Sequence, residues 1–268
     1  MTLTNRLPEL SMNELDLQGT DRNYKVTMSL CYSPSINHYL ETIKYLHTKE
    51  LDYYLKLTYE RRVRSYLAGR YAAKKAVSSF VQEEHLDKIL IEQGIFHQPI
   101  VVYPHQKNIQ VSITHCENIG AAIVFPEAIP MGIDIERISI KRKDVLNAQM
   151  TDEEKDLIKS FAYPEEIALT LLWTAKESLS KILKTGLTIP FNILEIYKLE
   201  VKENAVLGYF KNFPQYCVTS LVFNQYVCSI TYPKGNFPDL KATQGVLEKI
   251  ERVISMGGAC LDNHLIEA

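Results

Sequence analysis

Between Glu165 and Lys184 the apolar residues Ala168, Leu171, Leu172, Ala175, Leu179, Ile182 and Leu183 recur at three- and four-residue steps. That period predicts a long helix with one buried face. Trp173, Glu177 and Lys181 are spaced four apart and so stack on a second face. A helix striped in this way needs a layer to cover. The chain after it, from Asn192 to Thr231, is a run of β-forming segments: Asn192–Val201, Ala205–Phe210, Tyr216–Phe223 and Tyr226–Thr231. The pair Asn224-Gln225 is the expected two-residue turn of the last hairpin, without its usual glycine.

The first part of the chain runs in a similar order. Tyr24–Tyr32 reads as a strand, Ser35–Leu46 and Lys49–Leu57 as helices, and Thr58–Val81 as a strong helix. Residues 94–108 read as a loop with a short strand. Ile109–Thr114 and Ile119–Phe125 read as strands joined by His115-Cys116-Glu117-Asn118. Pro126 to Pro130 is the candidate boundary between halves. Met131–Ile138 is a strand, and Thr151 with Glu154 three residues on is a capping box opening a helix to about Phe161. The fold class is therefore α+β, each half a helix on an antiparallel sheet. The expected division is an irregular segment at 1–23, halves at 24–128 and 129–240, and a C-terminal helix (Gln244 to Ser255) with a tail in 241–268. No internal sequence repeat is visible.

Composition narrows the function classes. The 268 residues carry a net charge of −2, 46% hydrophobic and 23% charged residues. No global basic field points to nucleic acid. No apolar run is long enough for a membrane span, and the N-terminus lacks a signal-peptide pattern. Five scattered cysteines form no Cys-x-x-Cys pair, so reduced thiols and a cytoplasmic location are expected.

In Gly132-Ile133-Asp134-Ile135-Glu136, strand alternation sends the isoleucines to one face and the two acids to the other. Neighbouring carboxylates repel unless a cation lies between them. Hard oxygen donors suit Mg²⁺, and Glu177 is the natural third ligand. Lys181 would then meet phosphate oxygens or an attacking hydroxyl. The alternatives stay open at this level: a Glu–Lys pair at i,i+4 is often an exposed surface pair, and paired acids also protect edge strands. The helix around Arg62, Arg64, Arg70, Lys74 and Lys75 is either a solvated basic face or a phosphate-binding edge. Gly69 inside it hints at close packing.

These residues resemble a known family. Gly132-Ile133-Asp134-Ile135-Glu136 and Trp173-Thr174-Ala175-Lys176-Glu177-Ser178-Leu179-Ser180-Lys181 resemble the two signature motifs of Sfp-type 4'-phosphopantetheinyl transferases. Ser112-Ile113-Thr114-His115-Cys116 is similar to that family's Ser-His segment, and the stretch around Arg62 to Arg70 to its arginine helix. The resemblance implies two similar α+β halves, a pseudo-dimer in one monomeric chain, with coenzyme A in the cleft between them. It implies transfer of the 4'-phosphopantetheine arm to a serine of an apo acyl or peptidyl carrier protein, releasing 3',5'-ADP. The carrier would serve fatty-acid, polyketide or nonribosomal-peptide synthesis. By position Asp134, Glu136 and Glu177 would hold Mg²⁺. Glu177 would accept the serine proton, directly or through water, and Lys181 would stabilise the pyrophosphate. Thr114, His115 and Arg70 would contact coenzyme A, Arg70 at the 3'-phosphate. Two positions depart from the pattern. Thr114 stands where serine is usual. His97-Gln98-Pro99 stands where Gly-Lys-Pro is common, which removes a cation near the nucleotide.

A pyrophosphate hydrolase using the same acids and a non-catalytic nucleotide- or carrier-binding module are the competing readings.

Overall fold

The computed structural model describes residues 6–19, 22–104 and 108–262, with no side chain described for Leu187 or beyond Met256. The first half opens with β1 (Glu9–Gln18) and β2 (Tyr24–Tyr32). Short helices α1 (Ile36–Leu40) and α2 (Thr48–Tyr54) lead to the long α3 (Glu60–Val81). A two-stranded ribbon of β3 (Leu90–Gln93) and β4 (Pro99–Val102) follows, then the hairpin β5 (Ile109–Cys116) and β6 (Ile119–Pro126). The second half starts at β7 (Gly132–Arg137). It continues through α4 (Lys143–Asn147), α5 (Asp152–Lys159) and the long α6 (Glu165–Leu183). Then come β8 (Ile196–Lys202), β9 (Ala205–Phe210), β10 (Tyr216–Phe223) and β11 (Tyr226–Pro233). The short β12 (Phe237–Pro238) and α7 (Leu240–Asp262) close the described chain.

Two antiparallel five-stranded sheets result, ordered β12-β1-β2-β6-β5 and β7-β11-β10-β9-β8. The halves share a topology. A strand (β2 or β7) leads to a long helix (α3 or α6), and a hairpin follows whose last strand (β6 or β11) pairs with the opening strand. Each helix covers one face of its sheet. Leu67, Tyr71, Ala72 and Val77 pack on the first, and Ala168, Leu172, Ala175 and Leu179 on the second. Ile182 and Leu183, expected in the buried stripe, are only partly buried. The opposite faces of both sheets share one apolar cluster, with Leu15, Met28 and Ile123 from one, Ile133, Ile135 and Ile230 from the other, and Val246 and Ile250 of α7 across them.

The halves also share a buried ionic clamp that no local pattern announces. In the second half Glu154 stands at the third position of α5. Its Oε2 accepts from the Thr151 backbone N–H at 2.9 Å and from Lys176 Nζ at 2.6 Å, and its Oε1 accepts from the Ile196 N–H at 3.0 Å. In the first half Glu50 holds the same place in α2. Its Oε2 accepts from the His47 N–H at 2.9 Å and pairs with Lys74 at 2.7 Å, and its Oε1 accepts from the Ile91 N–H at 3.1 Å. Both lysines finish on backbone carbonyls, Lys74 on Leu86 and Ile89, Lys176 on Gln149 and Phe191. Burial lowers both ammonium pKa values, and each glutamate partly restores them.

Some sequence expectations change. The segment 1–23 is not irregular throughout: Glu9–Gln18 is a strand paired along its length with β2. Its apolar residues do not alternate cleanly, with Leu15 and Leu17 buried, Leu10 partly buried and Met12 exposed, while the ladder to β2 and the packing of α7 hold it in place. Residues 1–5, 20–21 and the tail 263–268 lie outside the described residues. Phe237–Pro238 joins the free edge of β1, so the first sheet takes a strand from the segment assigned to the second half. α6 ends at Lys184, whose left-handed backbone (φ 56°) precedes Gly186. Among the described residues no helix is long and apolar enough to cross a membrane.

Candidate active site

The two sheets abut edge to edge, β5 against β7, without a backbone ladder between them. Hydroxyls of β5 take its place. Ser112 Oγ accepts the Ile133 N–H at 3.1 Å, and Thr114 Oγ1 accepts the Ile135 N–H at 3.4 Å. The N–H groups of β7 that face away from β11 are thereby satisfied. α6 lies directly on β7, since a Cβ at Gly132 would run into the Ser178 carbonyl oxygen. Only glycine permits that approach, and it brings Glu177 and Lys181 over the acids of the strand. Gly69 is likewise placed against Ile113, where an added Cβ would come within 3.1 Å.

Alternation along β7 is as the sequence predicts. Ile133 and Ile135 enter the shared core, and Asp134 and Glu136 face α6. Asp134 is 6% exposed. Its Oδ1 accepts from Lys181 Nζ at 2.8 Å and from Thr114 Oγ1 at 2.9 Å, while its Oδ2 is buried with no hydrogen-bond partner. Lys181 Nζ also reaches the Ile133 carbonyl at 2.6 Å. Glu136 Oε2 takes Arg142 Nη1 at 2.6 Å.

The Asp134 charge raises the pKa of both neighbouring glutamates. Glu177 is pushed from 4.5 to about 7, by burial first and then by the Asp134 charge, with Lys181 opposing and Glu136 adding. Glu136 is raised by burial and then by Asp134, against Arg142. The Trp173 indole N–H lies near enough to oppose that rise but does not reach hydrogen-bond geometry; its ring packs on Phe191 at 4.9 Å. Among the described residues no three His, Cys, Asp or Glu side chains are gathered tightly enough to hold a metal ion as they stand. Two of the three acids are instead bonded to Lys181 and Arg142.

A cleft of about 1430 Å³ runs from Glu136 between the halves, walled by Arg61, Arg62 and Arg64 of α3, His115 of β5, Arg137 at the end of β7, and Lys141 and Arg142 beyond it. His115 is exposed there, and its pKa is lowered by the packing around its ring and then by Lys181. Arg62, Ser65 and His115 also wall a 270 Å³ cavity reaching Arg70. Arg70 in turn borders a 390 Å³ cavity with Lys49 and Glu92. Its guanidinium lies over Tyr66 at 5.1 Å and 3.5 Å from Glu50, with Nε buried and without a hydrogen bond.

The structure thus gathers Asp134, Glu136, Glu177 and Lys181, with His115 beside them and Arg70 at the far end of a connected wall. The buried hydroxyl of Thr114 is turned into the seam, onto Asp134 and the Ile135 N–H. Lys74, counted in the basic face of α3, is buried in the clamp. Arg142 was not among the sequence candidates; it lies in a stretch, Lys141-Arg142-Lys143, that shows no more than positive charge.

A strand carrying two acids, crossed by a helix that returns a third acid and a lysine, makes a charge-dense site at the junction of two α+β halves. Residues 130–231, which contain all of β7 and α6, match the 4'-phosphopantetheinyl transferase superfamily. Enterobactin synthase component D of Salmonella typhimurium is 31% identical over 91 residues, covering 33% of this chain and 38% of that protein. The Salmonella typhi protein of the same name is 28% identical over 81 residues, 30% and 34% of the two chains. The chain therefore spans well under half the length of the curated relatives it matches. A holo-(acyl-carrier-protein) synthase from Bacillus anthracis, solved in complex with CoA (3',5'-ADP), aligns at 20% identity with a TM-score of 0.34, over 41% of this chain and 96% of its own.

Proposed function

We propose that the protein transfers the 4'-phosphopantetheine arm of coenzyme A to a serine hydroxyl of an apo acyl or peptidyl carrier protein, with release of 3',5'-ADP. The observation that carries this reading is the convergence of Asp134, Glu136 and Glu177 with Lys181 bonded to Asp134, inside the segment that matches the superfamily. The donor set suits Mg²⁺. It consists of hard oxygens, one of them (Asp134 Oδ2) buried and unpartnered, and burial together with the Asp134 charge raises the pKa of both glutamates. Asp134, Glu136 and Glu177 would hold the ion. Bound there, it would neutralise charge developing on the pyrophosphate.

The chain's own groups divide the remaining work. Lys181 is the cation placed to meet non-bridging oxygens of the scissile phosphate. Glu177, titrating near neutrality, is suited to take the serine proton. His115 and the arginines of the cleft would orient the phosphates. Arg70, with a guanidinium fork near a cavity, would take the 3'-phosphate in exchange for its loose contact with Glu50. Both walls of the cleft come from one chain, and a monomer is sufficient for this scheme.

The test is the intact mass of an apo carrier domain incubated with the protein, coenzyme A and Mg²⁺. A gain of one phosphopantetheine arm is expected, lost with Asp134→Ala. Coenzyme A cleavage with no change in the carrier would replace transfer by hydrolysis.

A further inference from the structure

The hydroxyl of Thr114 has two partners at once, and together they fix its direction. It accepts the Ile135 N–H at 3.4 Å, so its own hydrogen is free to point only elsewhere, and it points to Asp134 Oδ1 at 2.9 Å. The threonine is 6% exposed, and its neighbour two residues back, Ser112, makes the equivalent seam bond to Ile133 but touches no carboxylate. Oδ1 of Asp134 is thus filled from two sides, by Thr114 and by Lys181, and the carboxylate is held with Oδ2 unpartnered. Lys181 belongs to a mobile class of side chain and is 26% exposed, so it can move on to a phosphate. Thr114 is anchored by a backbone N–H and cannot.

We infer that Thr114 is a positioning residue, which locks the Asp134 carboxylate so that Oδ2 is presented to a divalent cation, and that it makes no contact with coenzyme A. The inference rests on the functional reading above. A β-hydroxyl on the edge strand of one half orients a ligand on the edge strand of the other, so the seam that joins the sheets also aligns the cation site. Removing an outer hydrogen bond to a metal-ligating side chain typically weakens metal affinity by about 10–100-fold.

Direct Mn²⁺ binding, followed by the loss of the free-ion electron paramagnetic resonance signal, tests this without turnover. Thr114→Val is expected to weaken Mn²⁺ binding by about 10-fold or more, Thr114→Ser to retain it, and Ser112→Ala, which loses only a seam bond, to stay within about twofold of the parent. Thr114→Ala removes the same hydroxyl and gives the same answer if the valine variant does not fold. In the transfer assay the Thr114→Val defect should appear as a raised half-saturation for Mg²⁺ with an unchanged KM for coenzyme A. Unchanged Mn²⁺ affinity in Thr114→Val together with a raised KM for coenzyme A would overturn the inference and make Thr114 a substrate contact. Equal weakening in Ser112→Ala would also overturn it, since the effect would then belong to the seam as a whole. No Mn²⁺ binding by the parent protein would bring down the functional reading itself, and the inference with it.

Discussion

The two ionic clamps match atom for atom, yet the helices that carry them have diverged one residue and one turn away. With Lys74 set against Lys176, the next residue is Lys75 in α3 and Glu177 in α6, and the residue one turn earlier is Arg70 in α3 and Leu172 in α6. Lys75 lies over the rings of Tyr45 and Tyr71, and Arg70 faces the cavities beside Glu50. Leu172 is buried in the second core, and Glu177 stands with Asp134 and Glu136. The same scaffold thus presents cations from one half and acids from the other. Each buried pair ties a long helix to the short helix before it and to a strand N–H, while the neighbouring positions differ between the halves.

The largest expected effect comes from breaking the clamps. In the second half both partners are fully buried. Glu154→Ala leaves the Lys176 ammonium without a countercharge and is expected to cost about 3–5 kcal/mol in urea unfolding. Glu50→Ala should cost somewhat more, because the first clamp is almost as buried and Arg70 loses its neighbouring carboxylate together with Lys74. Equal losses would mean that Arg70 does not distinguish the halves.

The next effect separates the acidic wall from the basic one. The Glu177 carboxyl is raised from 4.5 to about 7, so folding favours its protonated form. That contribution is complete below about pH 4.5 and is lost as pH rises through about 7. Glutamine mimics the protonated acid. Glu177→Gln should therefore match the parent near pH 4 and exceed it by about 1–3 kcal/mol at pH 8 without divalent cation. Added Mg²⁺ should stabilise the parent more than the variant. A stability difference independent of pH would show that neither burial nor the Asp134 charge raises the Glu177 carboxyl.

The smallest change in stability, under about 1 kcal/mol, is expected from Arg70→Leu, which gives the first clamp the neighbour found in the second. Its effect should fall on substrate instead. The KM for coenzyme A should rise about tenfold, the worth of one charge-assisted hydrogen bond, and the KM for dephospho-coenzyme A should rise less. Equal rises would place Arg70 away from the 3'-phosphate.

Local pattern made much of this legible. The alternation in β7 separated the acids from the isoleucines, and the helical period of α6 put Glu177 and Lys181 on one face. The capping box at Thr151 and Glu154 was visible as a helix start. Its second role was not, because Lys176 is 22 residues from Glu154 and Ile196 is 42 away. The counterpart at His47 and Glu50 lacked even the usual hydroxyl cap. β1 was hidden by its broken apolar alternation, with Met12 exposed, and Arg142 by its place among ordinary surface cations.

The sequence by itself determined the long helices, most of the strands and the three acids, since periodicity and residue chemistry act over one or two turns of chain. Only the tertiary structure decided that the Thr114 hydroxyl turns onto Asp134, and that one clamp is built twice. Those facts depend on which edges and helices meet across long stretches of chain, where a hydroxyl or an ammonium takes whichever buried partner the packing brings to it.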